Sequence, residues 1–449
     1  MVRQLFGTDG VRGVAGEFLT AELALSLARA AVRLSPEPRP RVLIVRDTRE
    51  SGEMLEAALA AGVTAAGGDA YLAGVLPTPA APLLLRRHDF HLAAVISASH
   101  NPYEDNGIKL FGPDGFKLDD DTEVAIEAVM MAPHPDGGRR PARIGRVRTF
   151  HGALEDYLRE LHTRFGALDL GGQRILLDCA HGATYRAAPE IFRRLGAEVT
   201  VLCDRPDGQN INAGCGSTHL GRLTEALGTG DSTLGFAFDG DGDRVLAVDG
   251  AGITVDGDEL IALAARHLKA AGALWGDGVA VTVMTNYGFQ AAMADAGIEV
   301  AQTAVGDRYV LDELRRRGWR LGGEQSGHII DLAFAPGGDG IASALLILEA
   351  LGGADLRDRD AMEKLPQRLV NLRAGDRSAL TAALGAPAVI AAIAAADSEL
   401  AGRGRVLVRA SGTEPLVRVM VEAPTVSETD AHCAEIAAAV EAALTGPPG

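Results

Sequence analysis

Two segments far apart in the chain carry the residue types that phosphoryl chemistry needs. One is Ile96-Ser97-Ala98-Ser99-His100-Asn101-Pro102, with Lys109 just beyond Asn106-Gly107. The other is Asp239-Gly240-Asp241-Gly242-Asp243-Arg244. A serine beside a histidine offers a nucleophile, but three carboxylates are poor candidates for its base. Alternating with glycine, which permits φ > 0, they can turn their oxygens onto one point. Oxygen ligands of such high charge suit a hard divalent cation, Mg²⁺ before others. Serine and metal together point to phosphoryl transfer and away from acyl transfer. Ser97 and Ser99 would face the same way on a continuing strand, so spacing alone does not choose between them. Lys109 adds a cation able to screen a phosphate or shuttle a proton.

Three further loops have matching chemistry, although each alone reads more simply as a turn. Arg409-Ala410-Ser411-Gly412-Thr413-Glu414-Pro415, followed by Arg418, offers hydroxyls, backbone N–H groups and guanidinium forks to phosphate oxygens. Glu324-Gln325-Ser326-Gly327-His328 offers carboxylate, amide and hydroxyl groups suited to sugar hydroxyls. Phe6-Gly7-Thr8-Asp9-Gly10-Val11-Arg12-Gly13 can set Arg12 beside a phosphate. The aspartate loop lacks the later glycine and glutamate spacing of an EF-hand.

The elements around these loops must deliver them to one place. A strand over 92–96 carries Ser97 and Ser99 at its C-terminal end, where ligands bind in open α/β sheets. A strand over 232–238 ends at Asp239, one over 319–321 precedes Glu324, and strands over 405–410 and 415–421 flank the Ser411 loop. Helical periods at 20–34, 51–66, 154–165, 258–271 and 308–317 alternate with strands at 41–45, 174–177, 198–202 and 279–283. This rhythm predicts an α/β fold: three α/β domains with mixed sheets, over 1–150, 151–252 and 253–365. A smaller α+β domain follows over 366–449.

Composition sets the outer limits. With 449 residues, 47% hydrophobic and only 4% aromatic, the cores must be mostly Ala, Val, Leu and Ile. A net charge of −17 argues against a nucleic-acid partner. Cys179, Cys203, Cys215 and Cys433 are far apart with no CxxC pair, which predicts free thiols in a reducing compartment. The first residues lack an apolar signal core, and the apolar stretch 58–85 is broken by glycine and proline. A cytoplasmic protein with no membrane partner is expected.

With all five loops in order, the chain resembles the α-D-phosphohexomutase superfamily over essentially its full length, and most closely its bacterial glucosamine branch. Gln325, Asn210-Ile211-Asn212, Cys215-Gly216-Ser217-Thr218 and Val305-Gly306-Asp307-Arg308-Tyr309 look like that branch. Two small departures are His181, where asparagine is expected, and Arg46 before Asp47-Thr48-Arg49. The resemblance implies domains around a central cleft with one key loop each. It implies Ser99 as the phosphorylated residue, and Mg²⁺ held by Asp239, Asp241, Asp243 and an oxygen of phospho-Ser99. Arg12, His100 and Lys109 then belong to the catalytic set, and Glu324, Ser326 and His328 to the sugar. Arg409, Ser411, Gly412, Thr413 and Arg418 hold the phosphate that is not reacting. The implied reaction interconverts glucosamine 6-phosphate and glucosamine 1-phosphate through a 1,6-bisphosphate, supplying aminosugar precursors of the cell wall. Because that intermediate must turn over without escaping, the last domain is expected to close through a hinge near Pro366. A sibling mutase acting on mannose or glucose phosphates is the alternative. Whether the chain is a monomer or a homodimer stays open.

Overall fold

The computed structural model describes residues 4–7, 9–132, 143–375, 377–410 and 415–445. The chain forms two compact units, one of Met1–Val283 with Glu299–Arg359 and one of Met284–Ile298 with Asp360–Gly449.

The first unit contains three mixed sheets. The first runs in the order Val11–Val14, Asp105–Phe111, Leu92–Ile96, Arg41–Arg46, Asp69–Val75, Val147–Thr149. Leu92–Ile96 pairs in parallel with Arg41–Arg46 and antiparallel with Asp105–Phe111, setting Lys109 opposite Val95. Lys109 therefore stands within a strand, a role that its polar approach Asp105-Asn106-Gly107 hides from a reading of apolar runs.

The helices obey simple local rules. Ala21–Leu34 begins where the Thr20 hydroxyl accepts the Leu23 N–H at 3.2 Å, and buries Ala24, Leu27, Ala28 and Ala31 along one stripe. It packs on Ser51–Ala65 closely enough that a Cβ on Gly62 would lie 2.3 Å from the Leu25 carbonyl oxygen. The cores are aliphatic, as the composition requires.

The second sheet runs Thr254–Val255, Val245–Asp249, Leu234–Phe238, Arg174–Asp178, Glu198–Leu202. Phe238 pairs with Val245 across an antiparallel junction, so the aspartate loop is the short connection between two adjacent strands. The third sheet runs Glu299–Thr303, Gly278–Thr282, Leu321–Gly323, Ile329–Asp331. Its central strand starts at Leu321, two residues later than the sequence suggests. Trp319 is buried, but its N–H returns to the Leu314 carbonyl at 2.9 Å and finishes the preceding helix. Gly323 pairs antiparallel with Ile329, making Glu324–His328 a hairpin loop.

The second unit has an antiparallel sheet in the order Gln367–Arg373, Leu416–Glu422, Arg405–Ala410, covered by Pro387–Leu400 and Val426–Thr445. Buried Glu422 ties it together by accepting from Arg405 Nε at 2.7 Å and from the Tyr287 N–H at 2.8 Å. Mixed α/β sheets followed by a smaller α+β part match the expected fold class. Among the described residues no single helix is long and apolar enough to cross a membrane.

Candidate functional site

The chain leaves the first sheet at Ile96, and the alternation that would align the two serines ends there. Ser99 has φ +53°, a left-handed conformation costing about 1 kcal/mol or more for a residue with a Cβ. Four neighbours hold it there. The Ser97 hydroxyl accepts the Ser99 N–H at 2.9 Å and donates to Asp47 Oδ2 at 2.6 Å. Fully buried Arg49 pairs with Asp47 at 2.8 Å and donates to the carbonyls of Ser99 (2.9 Å), Asn101 (2.9 Å), Asp105 (2.8 Å) and Pro102. Asn212 Nδ2 also donates to the Ser99 carbonyl, at 2.9 Å. Ser97 is thus consumed within the loop, while the Ser99 hydroxyl donates to Asp239 Oδ2 at 2.5 Å. His100 Nδ1 lies 3.3 Å from the same hydroxyl oxygen.

Asp239, Asp241 and Asp243 are all buried and bring one carboxylate oxygen each to within 4.8 Å of the others. Glycine permits this approach: a Cβ on Gly240 would meet the Ser99 carbonyl oxygen at 2.6 Å. Asp239 Oδ1 accepts the N–H groups of Gly242 and Arg244, and Asp241 Oδ2 accepts the Thr78 hydroxyl at 2.7 Å. The Oδ1 atoms of Asp241 and Asp243 are buried without a hydrogen-bond partner among the described residues. Orphaned carboxylate oxygens are costly, and three converging oxygen donors beside them fit a divalent cation. Burial, reinforced by the charges of Asp243 and Asp241, pushes the Asp239 carboxyl well above the usual range. Burial acts the same way on Asp243, but Lys109 and His328 outweigh it and hold that carboxyl well below.

The cations interleave with these carboxylates. Lys109 Nζ is 2.9 Å from Asp241, 3.2 Å from Asp9 and 3.5 Å from Asp243. Burial disfavours its charge, yet the three carboxylates prevail and raise its pKa, so it stays protonated. Lys117 bonds Asp307 at 2.7 Å and also Asp9, which in turn pairs with Arg12. Burial opposes the charge of Asp9, and Lys109, Lys117 and Arg12 override it. Burial, then the charges of Arg244 and Arg12, bring the His100 imidazole down to about 4, which leaves it neutral at pH 7.

The expected sugar loop reaches the same region. The Val245 N–H donates to the Gly327 carbonyl at 3.0 Å, joining that hairpin to the aspartate loop. His328 is buried with Nδ1 3.6 Å from Asp243. Glu324 is buried and accepts the Gly306 N–H at 2.9 Å, while Ser326 is exposed. A cavity opens beside them, lined in part by Thr78, Lys109, Lys117, Asp243, Asp307 and His328. Sequence reasoning left Asp9, Thr78, Lys117 and the Asp47–Arg49 pair outside its set of site residues. Asp47-Thr48-Arg49 had a readable signal, since charges directly after an apolar parallel strand stand at the ligand-binding end of a sheet.

In the second unit Arg409 and Arg418 sit directly opposite each other across adjacent strands. Like charges in such a pair repel, and Arg418 Nε is buried with no hydrogen-bond partner among the described residues. Both features suit an anion. Ser411, Gly412 and Thr413 lie outside the described residues.

Four family descriptions match successive parts of the chain. They are the phosphoglucomutase/phosphomannomutase alpha/beta/alpha domains I (residues 3–134), II (155–252) and III (256–370), and the C-terminal domain (369–439). A phosphoglucosamine mutase of Desulforudis audaxviator is 51% identical over 93% of this chain and 94% of its own. One of Paenarthrobacter aurescens is 47% identical over 99% of this chain and 98% of its own. Among solved structures, a phosphoglucomutase/phosphomannomutase family protein from Burkholderia thailandensis superposes with a TM-score of 0.81. It shares 25% identity and 98% of each chain is covered.

Proposed function

The chain belongs to the phosphoglucomutase/phosphomannomutase family, and we infer from that premise that it interconverts glucosamine 6-phosphate and glucosamine 1-phosphate. The reaction is an intramolecular phosphoryl transfer, passing through a phosphoserine enzyme and a glucosamine 1,6-bisphosphate. The observation that carries this reading is the Ser99 hydroxyl, 2.5 Å from Asp239 inside a buried set of three aspartates. The choice of glucosamine over mannose or glucose is supported by relatives at 47–51% identity that bear that activity in their names.

Asp239, Asp241, Asp243 and an oxygen of phospho-Ser99 would hold the divalent cation, with Mg²⁺ as the proposed ion. When bound, it offsets the charge developing on the serine oxygen. The remaining tasks fall to the chain itself. Arg12 and Lys109 would stabilise the transferring phosphoryl group as cations, Lys109 from a buried position and Arg12 from a partly exposed one. The proton leaving the sugar hydroxyl has to reach the Ser99 oxygen, and His100, 3.3 Å from that oxygen, or Lys109 would relay it. Glu324, Ser326 and His328 would grip the sugar in either orientation, and Arg409, Ser411, Gly412, Thr413 and Arg418 the non-reacting phosphate. We assign these tasks to segments 1–150, 151–252, 253–365 and 366–449 in turn: serine, metal, sugar and distal phosphate. The cytoplasm is the proposed compartment, on the reading of an enzyme with free thiols and no signal core.

Comparing turnover of glucosamine 6-phosphate, mannose 6-phosphate and glucose 1-phosphate by the purified enzyme tests the assignment. Glucosamine 6-phosphate should give the highest kcat/KM. A preference for either of the others would place the enzyme in the mannose/glucose branch.

A further inference from the structure

Two cysteines twelve residues apart meet at the two ends of the loop that carries Asn212. The sulfurs of Cys203 and Cys215 and a ring nitrogen of His181 lie within 4.8 Å of one another. Cys215 is fully buried, while Cys203 keeps 9% of its surface exposed. Arg222 Nη1 stands 3.8 Å from the Cys203 sulfur. The two thiols also differ in acidity. The neighbouring Cys215 thiol, helped by Arg222 and opposed by burial, lowers the Cys203 pKa, and Cys203 together with burial raises that of Cys215. A thiol of lowered pKa at the edge of solvent, within 4.8 Å of a second, protonated thiol, is the arrangement of a peroxide-reactive cysteine with its resolving partner.

A soft metal ion is the competing occupant of such a cluster, and two contacts oppose it. The Arg205 N–H donates to His181 Nδ1 at 3.2 Å, occupying that lone pair, and the Arg222 guanidinium already brings a positive charge to Cys203. Thiol chemistry suits the surroundings better.

We propose that Cys203 and Cys215 form a reversible disulfide on reaction with hydrogen peroxide, closing a ring around the loop that carries Asn212. The Cys203 thiolate attacks the peroxide O–O bond, taking up one oxygen as sulfenic acid, and the other oxygen leaves as water once protonated. The Cys215 sulfur then attacks the sulfenic sulfur, its proton leaves with the hydroxyl as a second water, and the S–S bond forms. Two thiols are oxidised and one peroxide is reduced to two waters.

This pair also sits where it can influence the serine. Asn212, inside the ring, donates to the carbonyls of Ser99 and Asn101 at 2.9 and 3.1 Å. Its own N–H donates to the Ala180 carbonyl, and the Gly216 N–H, next to Cys215, donates to Asp178. Drawing the two sulfurs together to a bond length of about 2 Å shifts both ends of this loop. The clamp on Ser99 then loosens and turnover falls several-fold. That consequence rests on the proposed mutase activity, whereas the disulfide itself does not.

The test exposes the full-length reduced enzyme to hydrogen peroxide, then quenches with N-ethylmaleimide under denaturing conditions. Non-reducing peptide mass mapping should show Cys203 cross-linked to Cys215, with Cys179 and Cys433 alkylated, and dithiothreitol should reverse the link and restore turnover. Cys215→Ser should stop at a sulfenic acid on Cys203 that dimedone traps. Four alkylated cysteines after peroxide, or one bound zinc per chain shielding both thiols, would overturn the proposal. A mapped disulfide with unchanged turnover would overturn its coupling to Ser99 and leave the mutase reading untouched.

Discussion

The Ser97 hydroxyl accepts the backbone N–H of Ser99 at 2.9 Å, so one serine is structural support for the other. Ser97 also donates to buried Asp47, which ties its proton into the loop's own support. Ser99→Ala should abolish turnover and remove phosphate from the purified enzyme while the fold persists. Ser97→Ala should keep phosphate on Ser99 but cost about 1–3 kcal/mol of stability, because it strands the Ser99 N–H and Asp47. Phosphopeptide mapping with thermal denaturation checks both, and phosphate found only on Ser97 would reverse the assignment.

Stripping divalent cations with a chelator should stop turnover, and Mg²⁺ should restore it. Asp241→Asn should lower the rate by at least tenfold, since it also weakens the contacts from Thr78 and Lys109. A rate indifferent to chelation would show that the three aspartates serve another purpose.

Arg49 spends its whole guanidinium on Asp47 and four carbonyls of the serine loop. Arg49→Ala leaves a buried carboxylate and those carbonyls unpaired, at a cost of about 3–5 kcal/mol. Arg49→Lys keeps the charge but not the fork, and should fall between the two. Denaturation midpoints measured beside kcat should drop in that order. Full stability in Arg49→Ala would contradict the clamp.

Burial raises the Asp339 carboxyl to about 6, although the Ala342 N–H and the Tyr157 hydroxyl favour its charged form. Its folded pKa exceeds the unfolded value of about 3.9, so the folded state prefers the protonated acid. The resulting stabilisation is complete below about pH 4 and disappears as pH rises through 6, a change of about 3 kcal/mol. Asp339→Asn keeps a helix cap without titrating. The midpoint of the native protein relative to this variant should therefore fall between pH 4 and 6 and stay level above. A constant difference across that range would refute the raised pKa.

Much of this was legible in the residues themselves. The strand over 92–96, the aspartate loop after Phe238 and the helix capped by Thr20 follow from apolar runs, glycine and hydroxyl capping, all local properties. The antiparallel strand carrying Lys109 was not legible, because a charge and an Asn-Gly pair break its apolar pattern and only its partner Leu92–Ile96 stabilises it. The strand preceding Glu324 shifted by two residues for a similar reason: Trp319 serves both helix end and core.

The sequence by itself determined which chemical groups are present and in what order their loops follow. Those are properties of residue type and short spacing. Tertiary structure alone decided that Ser97 supports while Ser99 faces Asp239, that Lys109 lies among three carboxylates, and that the Cys203 and Cys215 sulfurs lie within 4.8 Å. The first two depend on chain segments dozens of residues apart in sequence and on a left-handed backbone turn, and the cysteine pair on how the stretch between them folds back; packing forces these where local preference does not reach.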